Sequence, residues 1–344
     1  MVSDKCQQWL LQNIQLSFPA LLIDERVLEQ LGDCDQINIE GPIKIAMSNS
    51  FPMENKNLDI LFYSNHTEKD YLEIIIDQTD RKIIPKNFRY SIIGNLMIPT
   101  QIPLFLEFWR RGTFLSCRNM TVHRDPARNK YLMFFRKFLF PQGTPIPVME
   151  SIELLARLRD EMLRFGVIPF LNGGTFLGWY RECSVIPHTT DMDMAVFEED
   201  WNPNFYEFLW SHNSSFRVTR QMGLVNDSYE LTLKPKTGFR TPIDLFLMYR
   251  DGEKTRWVGG VATSGIKYKF IYPNYDSLCA GDLMGHLFWV PCNPEQKIKK
   301  EYGPYWYLDK NSSKHIFHAA KNCVENGRFT REQMKMEAYN EYKA

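Results

Sequence analysis

The segment HTTDMDMAVF, residues 188–197, constrains the fold more than any other stretch of the chain. Two aspartates, Asp191 and Asp193, open a run of Met, Ala, Val and Phe that reads as a buried strand. Residues two apart on a strand point to the same face. Two carboxylates on one face of so apolar a strand repel each other and lose hydration, which is costly unless a cation lies between them. Mg2+ suits such a place, because it takes carboxylate oxygens together with substrate phosphates. The spacing by itself is common. Asp33-Cys-Asp35 is another Asp-x-Asp, in a polar stretch with no apolar strand after it. Solvated aspartates at a strand edge therefore stay open as an alternative at this point.

Two neighbours sharpen the reading. Gly173-Gly174-Thr175 follows the short strand VIPFLN and opens the helical stretch TFLGWYREC. Free N–H groups at such a helix start bind phosphate, and glycine lets the phosphate come close. The alternative is an ordinary turn with Thr175 as the cap. Asp244, in PIDLFLMYR, is again an aspartate just inside an apolar strand, between Ile243 and Leu245. A third carboxylate on an adjacent strand would complete a two-metal cluster. Arg181, on the helix after the glycines, is a candidate for bidentate phosphate contact or a surface charge. Lys267 and Lys269 alternate on the strand IKYKFIYP and share a face, where they either neutralise phosphate or meet solvent. Trp179 and Tyr180 read as core, Tyr302 and Trp306 as packing aromatics, and His188 as a loop histidine.

Around these motifs the pattern is α/β (α+β). Residues 1–35 read as one or two helices, and PIKIAM, LDILFY, YLEIII and YSIIGNLMI as strands of a first, smaller unit. PQGTPIPV at 141–148 marks the boundary, which gives domains 1–145 and 146–344. In the second, Ile152, Leu155, Leu158, Met162 and Phe165 recur at three or four residues, one face of a helix over 148–165. A strand–helix–strand unit and a meander of strands follow, which predicts a mixed sheet with helices packed on it. Lys+Arg equal Asp+Glu at 41 each, which argues against a nucleic-acid partner. No apolar run is long enough to span a membrane, and the N-terminus lacks the pattern of a signal peptide or anchor. Sequons at Asn65, Asn119, Asn213, Asn226 and Asn311 exceed the roughly two that composition alone gives, and point the other way. Seven cysteines form no zinc-type cluster. They read as buried thiols, with a Cys279–Cys292 bridge if the compartment is oxidising.

The ordered set of a double glycine with threonine, an h-D-h-D strand and a later lone aspartate resembles the polymerase-β-type nucleotidyltransferase superfamily. More narrowly, GGTFLGWYRECSVIPHTTDMDM resembles the fukutin branch of the LicD-type transferases, and the likeness runs through PIDLFLMYR, GIKYKFIYP, VPC at 290–292 and EYGPYW. It covers residues 148–310. Residues 1–147 look like the stem-side domain of fukutin-type proteins. LicD-type bacterial enzymes carry extra acids just before the Asp-x-Asp, where this chain has Thr189 and Thr190. The resemblance implies a nucleotidyltransferase-like mixed sheet and transfer of a phospho-alcohol from a CDP-activated donor to a hydroxyl of a protein-linked glycan. CDP-ribitol is the expected donor, CDP-choline the alternative, and a catalytically idle glycan-binding scaffold a third reading. It implies Mg2+ or Mn2+ on Asp191, Asp193 and Asp244. Gly173, Gly174, Thr175, Arg181, Lys267 and Lys269 are then expected on the donor. A Golgi or secretory-pathway lumen and association with other glycosyltransferases are implied as well.

Overall fold

The computed structural model describes residues 3–31, 38–48, 58–64, 68–120, 146–186, 188–238, 240–275, 277–308, 318 and 320–342. It divides into two compact units, Met1–Phe114 and Leu115–Ala344. The expected boundary at residue 145 falls at the end of 121–145, outside the described residues, as does Asp33-Cys-Asp35.

The first unit holds α1 (Asp4–Asn13), β1 (Ala20–Leu22), α2 (Glu25–Gln30), β2 (Ile43–Ser48), β3 (Leu58–Ser64), β4 (Tyr71–Ile75), β5 (Arg81–Pro85), β6 (Tyr90–Ile93), β7 (Leu96–Pro99) and α3 (Ile102–Arg110). Its strands form one mixed sheet in the order β5-β4-β3-β2-β1-β7-β6. Asp24 caps α2 by accepting from the N–H of Arg26, and it also accepts from the N–H of Lys44 on β2. One carboxylate thus fixes a helix start against a strand. The apolar run YSIIGNLMI is two strands, because Gly94 at φ +60 turns the chain into a hairpin. A two-residue strand, β8 (Phe114–Leu115), follows α3.

The second unit begins with α4 (Val148–Leu163), whose Ile152, Leu155, Leu158 and Met162 are fully buried as their spacing predicts. Then come β9 (Phe170–Leu171), α5 (Gly173–Glu182), β10 (Met192–Phe197), α6 (Pro203–Trp210), β11 (Phe216–Leu224), β12 (Asp227–Pro235), β13 (Ile243–Asp251), β14 (Thr255–Val261), β15 (Ile266–Pro273), β16 (Leu278–Leu283), β17 (His286–Pro291), α7 (Pro294–Tyr302), β18 (Cys323–Arg328) and β19 (Tyr339–Glu341). The sheet path includes β18-β15-β14-β13-β10-β9-β17-β16. β10 and β13 are parallel neighbours, and along its other edge β13 pairs first with β12 and then with β14.

Alternation along these strands separates two chemistries. Met192, Met194 and Val196 of β10, Ile243, Leu245 and Leu247 of β13, and Leu231 and Leu233 of β12 all join one buried core with α4. Truncating any of the leucines or isoleucines to alanine there costs about 2–5 kcal/mol. The intervening residues of the same strands, Asp193, Asp244, Glu230 and Thr232, are therefore turned to the opposite face.

Candidate active site

The register does the assembling. Asp193 is the direct partner of Asp244 across the β10–β13 ladder, so their Cα atoms lie about 4.8 Å apart, the spacing of neighbouring strands. Asp191 precedes β10 by one residue, and all three aspartates line one cavity of about 670 Å3. Thr189 Oγ1 donates to Asp191 Oδ1 at 3.1 Å, and Thr232 Oγ1 donates to Asp244 Oδ1 at 2.5 Å. Burial, and after it the charges of Asp191 and Asp244, push Asp193 well above the usual carboxylate range, while the Gly174 N–H pulls the other way. Burial likewise raises Asp244, against the Thr232 hydroxyl and the Arg220 guanidinium.

The double glycine is built against this cluster. Gly173 has φ +48, and a Cβ there would sit 2.7 Å from Asp193 Oδ2. The Gly174 N–H donates to that oxygen at 2.9 Å, and the Asp193 N–H donates to Thr175 Oγ1 at 2.7 Å. Both glycines line the cavity, whereas Thr175 is buried behind them. The residue at the cap position is Asn172, not Thr175, and its side chain makes no cap bond. Its Oδ1 accepts from Lys297 Nζ at 2.6 Å instead. Lys297 is fully buried between the rings of Phe176 and Tyr272. Burial lowers its pKa to about 8, opposed by the charges of Glu301 and Asp193. The far end of α5 is fixed too: Cys183, at φ +52, closes the helix and is bridged to Cys117.

The three basic residues expected on phosphate are placed differently from one another. Arg181 lines the cavity but is itself buried, bonded to Glu182 and donating to the carbonyls of Trp306 and Leu308. Lys267 and Lys269 do share a face, but it is the face opposite Phe270 and Tyr272, which line the cavity. Lys267 pairs with Asp227 at 2.5 Å, and Lys269 lies 3.6 Å from Asp251 and over the Trp257 ring. Trp179 and Tyr180 are buried, as expected. Tyr302, Trp306 and His188, which read as packing or loop residues, line the cavity.

Two further polar neighbours of the carboxylates carry no local sequence signal. Glu230 and Thr232 alternate with Leu231 and Leu233 in YELTLK, which reads as an ordinary half-exposed strand. Paired with β13, that polar face meets Asp244. Glu230 accepts from Arg220 Nη2 at 2.6 Å, and burial with the nearby charge of Asp244 pushes it up to about 7. Glu301 of α7 accepts from the Tyr272 hydroxyl at 2.9 Å. A cluster of hard oxygen donors around buried like charges has the chemistry of a Mg2+ or Mn2+ site. Among the described residues no three His, Cys, Asp or Glu side chains are by themselves placed to hold a metal ion. An open set of carboxylates, completed by water and phosphate oxygens, is how Mg2+ is commonly held.

Glycine turn, paired aspartates and a third aspartate one strand over, on a mixed sheet flanked by helices, define a domain of the nucleotidyltransferase type. Residues 166–293 match the LicD/FKTN/FKRP nucleotidyltransferase domain, and residues 5–116 match the W02B3.4-like N-terminal domain. The chain is 46% identical over 343 residues to W02B3.4 of Caenorhabditis elegans, covering 96% of this chain and 84% of that one. It is 43% identical over 338 residues to T07A5.1 of the same organism, 94% and 85%. It is 27% identical over 217 residues to the mouse ribitol-5-phosphate transferase FKTN, 62% of this chain and 44% of that one. The chain belongs to the LicD/FKTN/FKRP family of transferases, with a W02B3.4-like N-terminal domain. Among the described residues no helix is long and apolar enough to cross a membrane.

Proposed function

We propose that this protein moves ribitol 5-phosphate from CDP-ribitol to a hydroxyl of a protein-linked glycan. The observation that carries the reading is the register pairing of Asp193 with Asp244 beside the Gly173–Gly174 turn. Asp191, Asp193 and Asp244 would hold Mg2+ or Mn2+, which when bound supplies neutralising charge to the diphosphate and acidifies the acceptor hydroxyl. The acceptor oxygen attacks the ribitol-bearing phosphorus, the bond to CMP breaks, and the proton passes to a carboxylate of the cluster. The glycine turn lets the diphosphate approach the backbone. Relatives named as ribitol-5-phosphate transferases support the donor.

Tyr272, Tyr302 and Trp306 line the cavity, and an aromatic wall favours a cationic alcohol. That observation keeps phosphocholine transfer from CDP-choline as the second reading. The two bridges Cys117–Cys183 and Cys279–Cys292, and exposed sequon asparagines at Asn119, Asn213 and Asn226, support an oxidising secretory lumen. Asn65 and Asn311 lie outside the described residues.

The test is a donor panel of CDP-ribitol, CDP-choline and CTP with a glycopeptide acceptor and Mn2+, read by mass spectrometry. A gain of ribitol phosphate that Asp193→Ala abolishes is expected. Gain of phosphocholine selects the second reading. Donor binding without any transfer by the unaltered protein would refute the enzymatic reading and favour a scaffold.

A further inference from the structure

We propose that Arg220 is the side chain that receives the donor's diphosphate, an assignment that rests on the transferase reading above. Arg220 lies on β11 and lines the cavity beside the carboxylates. Its Nη2 donates to Glu230 Oε1 at 2.6 Å and lies 3.7 Å from Asp244 Oδ1. Its Nε is buried and has no hydrogen-bond acceptor among the described residues.

That pattern is unusual for a guanidinium. Arginine offers five N–H donors in a fixed fork, and a buried polar group without a partner calls for one. A phosphoryl group supplies the matching pair of oxygens. Lys234, two residues beyond Thr232 on β12, reaches Asp244 by its charge but does not line the cavity, and four other cations nearby are committed. Arg181 is bonded to Glu182 and two carbonyls, Lys297 to Asn172, and Lys267 and Lys269 are on the opposite face of β15. Charge points the same way. Asp191, Asp193, Glu230, Asp244 and Glu301 all line this cavity, and a diphosphate entering among five carboxylates needs a fixed positive group as well as any bound cation. Glu230, on the neighbouring strand, holds the guanidinium in place without using its remaining donors.

The experiment compares Mn2+-dependent binding of CDP and of cytidine, by calorimetry, to the unaltered protein, Arg220→Met and Arg220→Lys. The double variant Arg220→Met with Glu230→Gln removes the acid that the single change would orphan. CDP affinity should fall about 10- to 100-fold in both methionine variants, the range for losing charged hydrogen bonds, while cytidine affinity holds. Arg220→Lys, which keeps the charge but not the fork, should recover part of the loss. Equal loss of CDP and cytidine would make Arg220 merely structural and overturn the assignment. Full CDP affinity in Arg220→Met overturns it too. If the unaltered protein binds no CDP with Mn2+, the transferase reading falls first and takes this assignment with it.

Discussion

Alanine at Gly173 and alanine at Gly174 are expected to have opposite effects, although the two residues are adjacent and chemically identical. At Gly173 the backbone is left-handed, φ +48, and a new Cβ would meet Asp193 Oδ2 at 2.7 Å and its Cγ at 3.0 Å. A β-carbon in that conformation costs about 1–2 kcal/mol. Asp193 must also swing away from the Gly174 N–H, a 2.9 Å bond to a carboxylate whose loss costs about 1.5–3 kcal/mol. The sum, about 2.5–5 kcal/mol, corresponds to a fall in Tm on the order of 10 °C for a unit of this size. At Gly174 the nearest atom to a new Cβ is Asp193 Oδ2 at 3.5 Å, an ordinary contact, and alanine is the better helix former by about 1 kcal/mol. Gly174→Ala should therefore melt at or slightly above the parent temperature. Differential scanning calorimetry of the two variants decides the matter. If Gly173→Ala melts with the parent, or if both variants fall together, the geometry assigned to the turn is wrong.

Other expectations are more compact. Loop closure makes the Cys117–Cys183 bridge, with separation 66, worth about 4 kcal/mol, and Cys279–Cys292, with separation 13, about 3 kcal/mol; paired serine variants in denaturant titrations should lose those amounts in that order. The folded-state pKa of Glu230 is raised to about 7, so the folded protein holds a proton there that the unfolded chain has released. Stability contributed by that proton is present below the ordinary glutamate range and drains away as pH climbs to 7. Glu230→Gln should flatten that decline in metal-free urea melts, and an unchanged slope would contradict the assignment. Lys269→Met should leave CDP affinity at its parent value, because the side chain is turned from the cavity; a clear loss would restore the lysine to the site.

Much of the site was legible because its residues violate local expectation. Aspartates inside apolar strands, and a double glycine between a strand and a helix, stand out without any knowledge of neighbours. Asp191, Asp193, Asp244, Gly173 and Gly174 do meet at one cavity. Residues that obey local expectation stayed hidden. Glu230 and Thr232 alternate with leucines as on any half-exposed strand, and only pairing with β13 reveals that their polar side faces Asp244. Lys267 and Lys269 show the converse. A period of two says that they share a face, yet which face is fixed by the partners of β15, not by β15 itself. The same holds for Lys297, a helix lysine by pattern, whose burial follows from where α7 packs. In the first unit, the strand Ala20–Leu22 between two helices is too short to carry a period, and its pairing with β2 and β7 makes it a strand.

The in-register pairing of β10 with β13 also decides how the carboxylates move. Their separation is set by backbone hydrogen bonds in the interior of a sheet rather than by the rotamers of a loop. Slipping the ladder by one residue would drive Asp244 into the leucine and methionine layer beneath, so partial opening has no resting place there. The amides of Met192–Phe197 should accordingly surrender their hydrogens to solvent deuterium only when the whole unit unfolds.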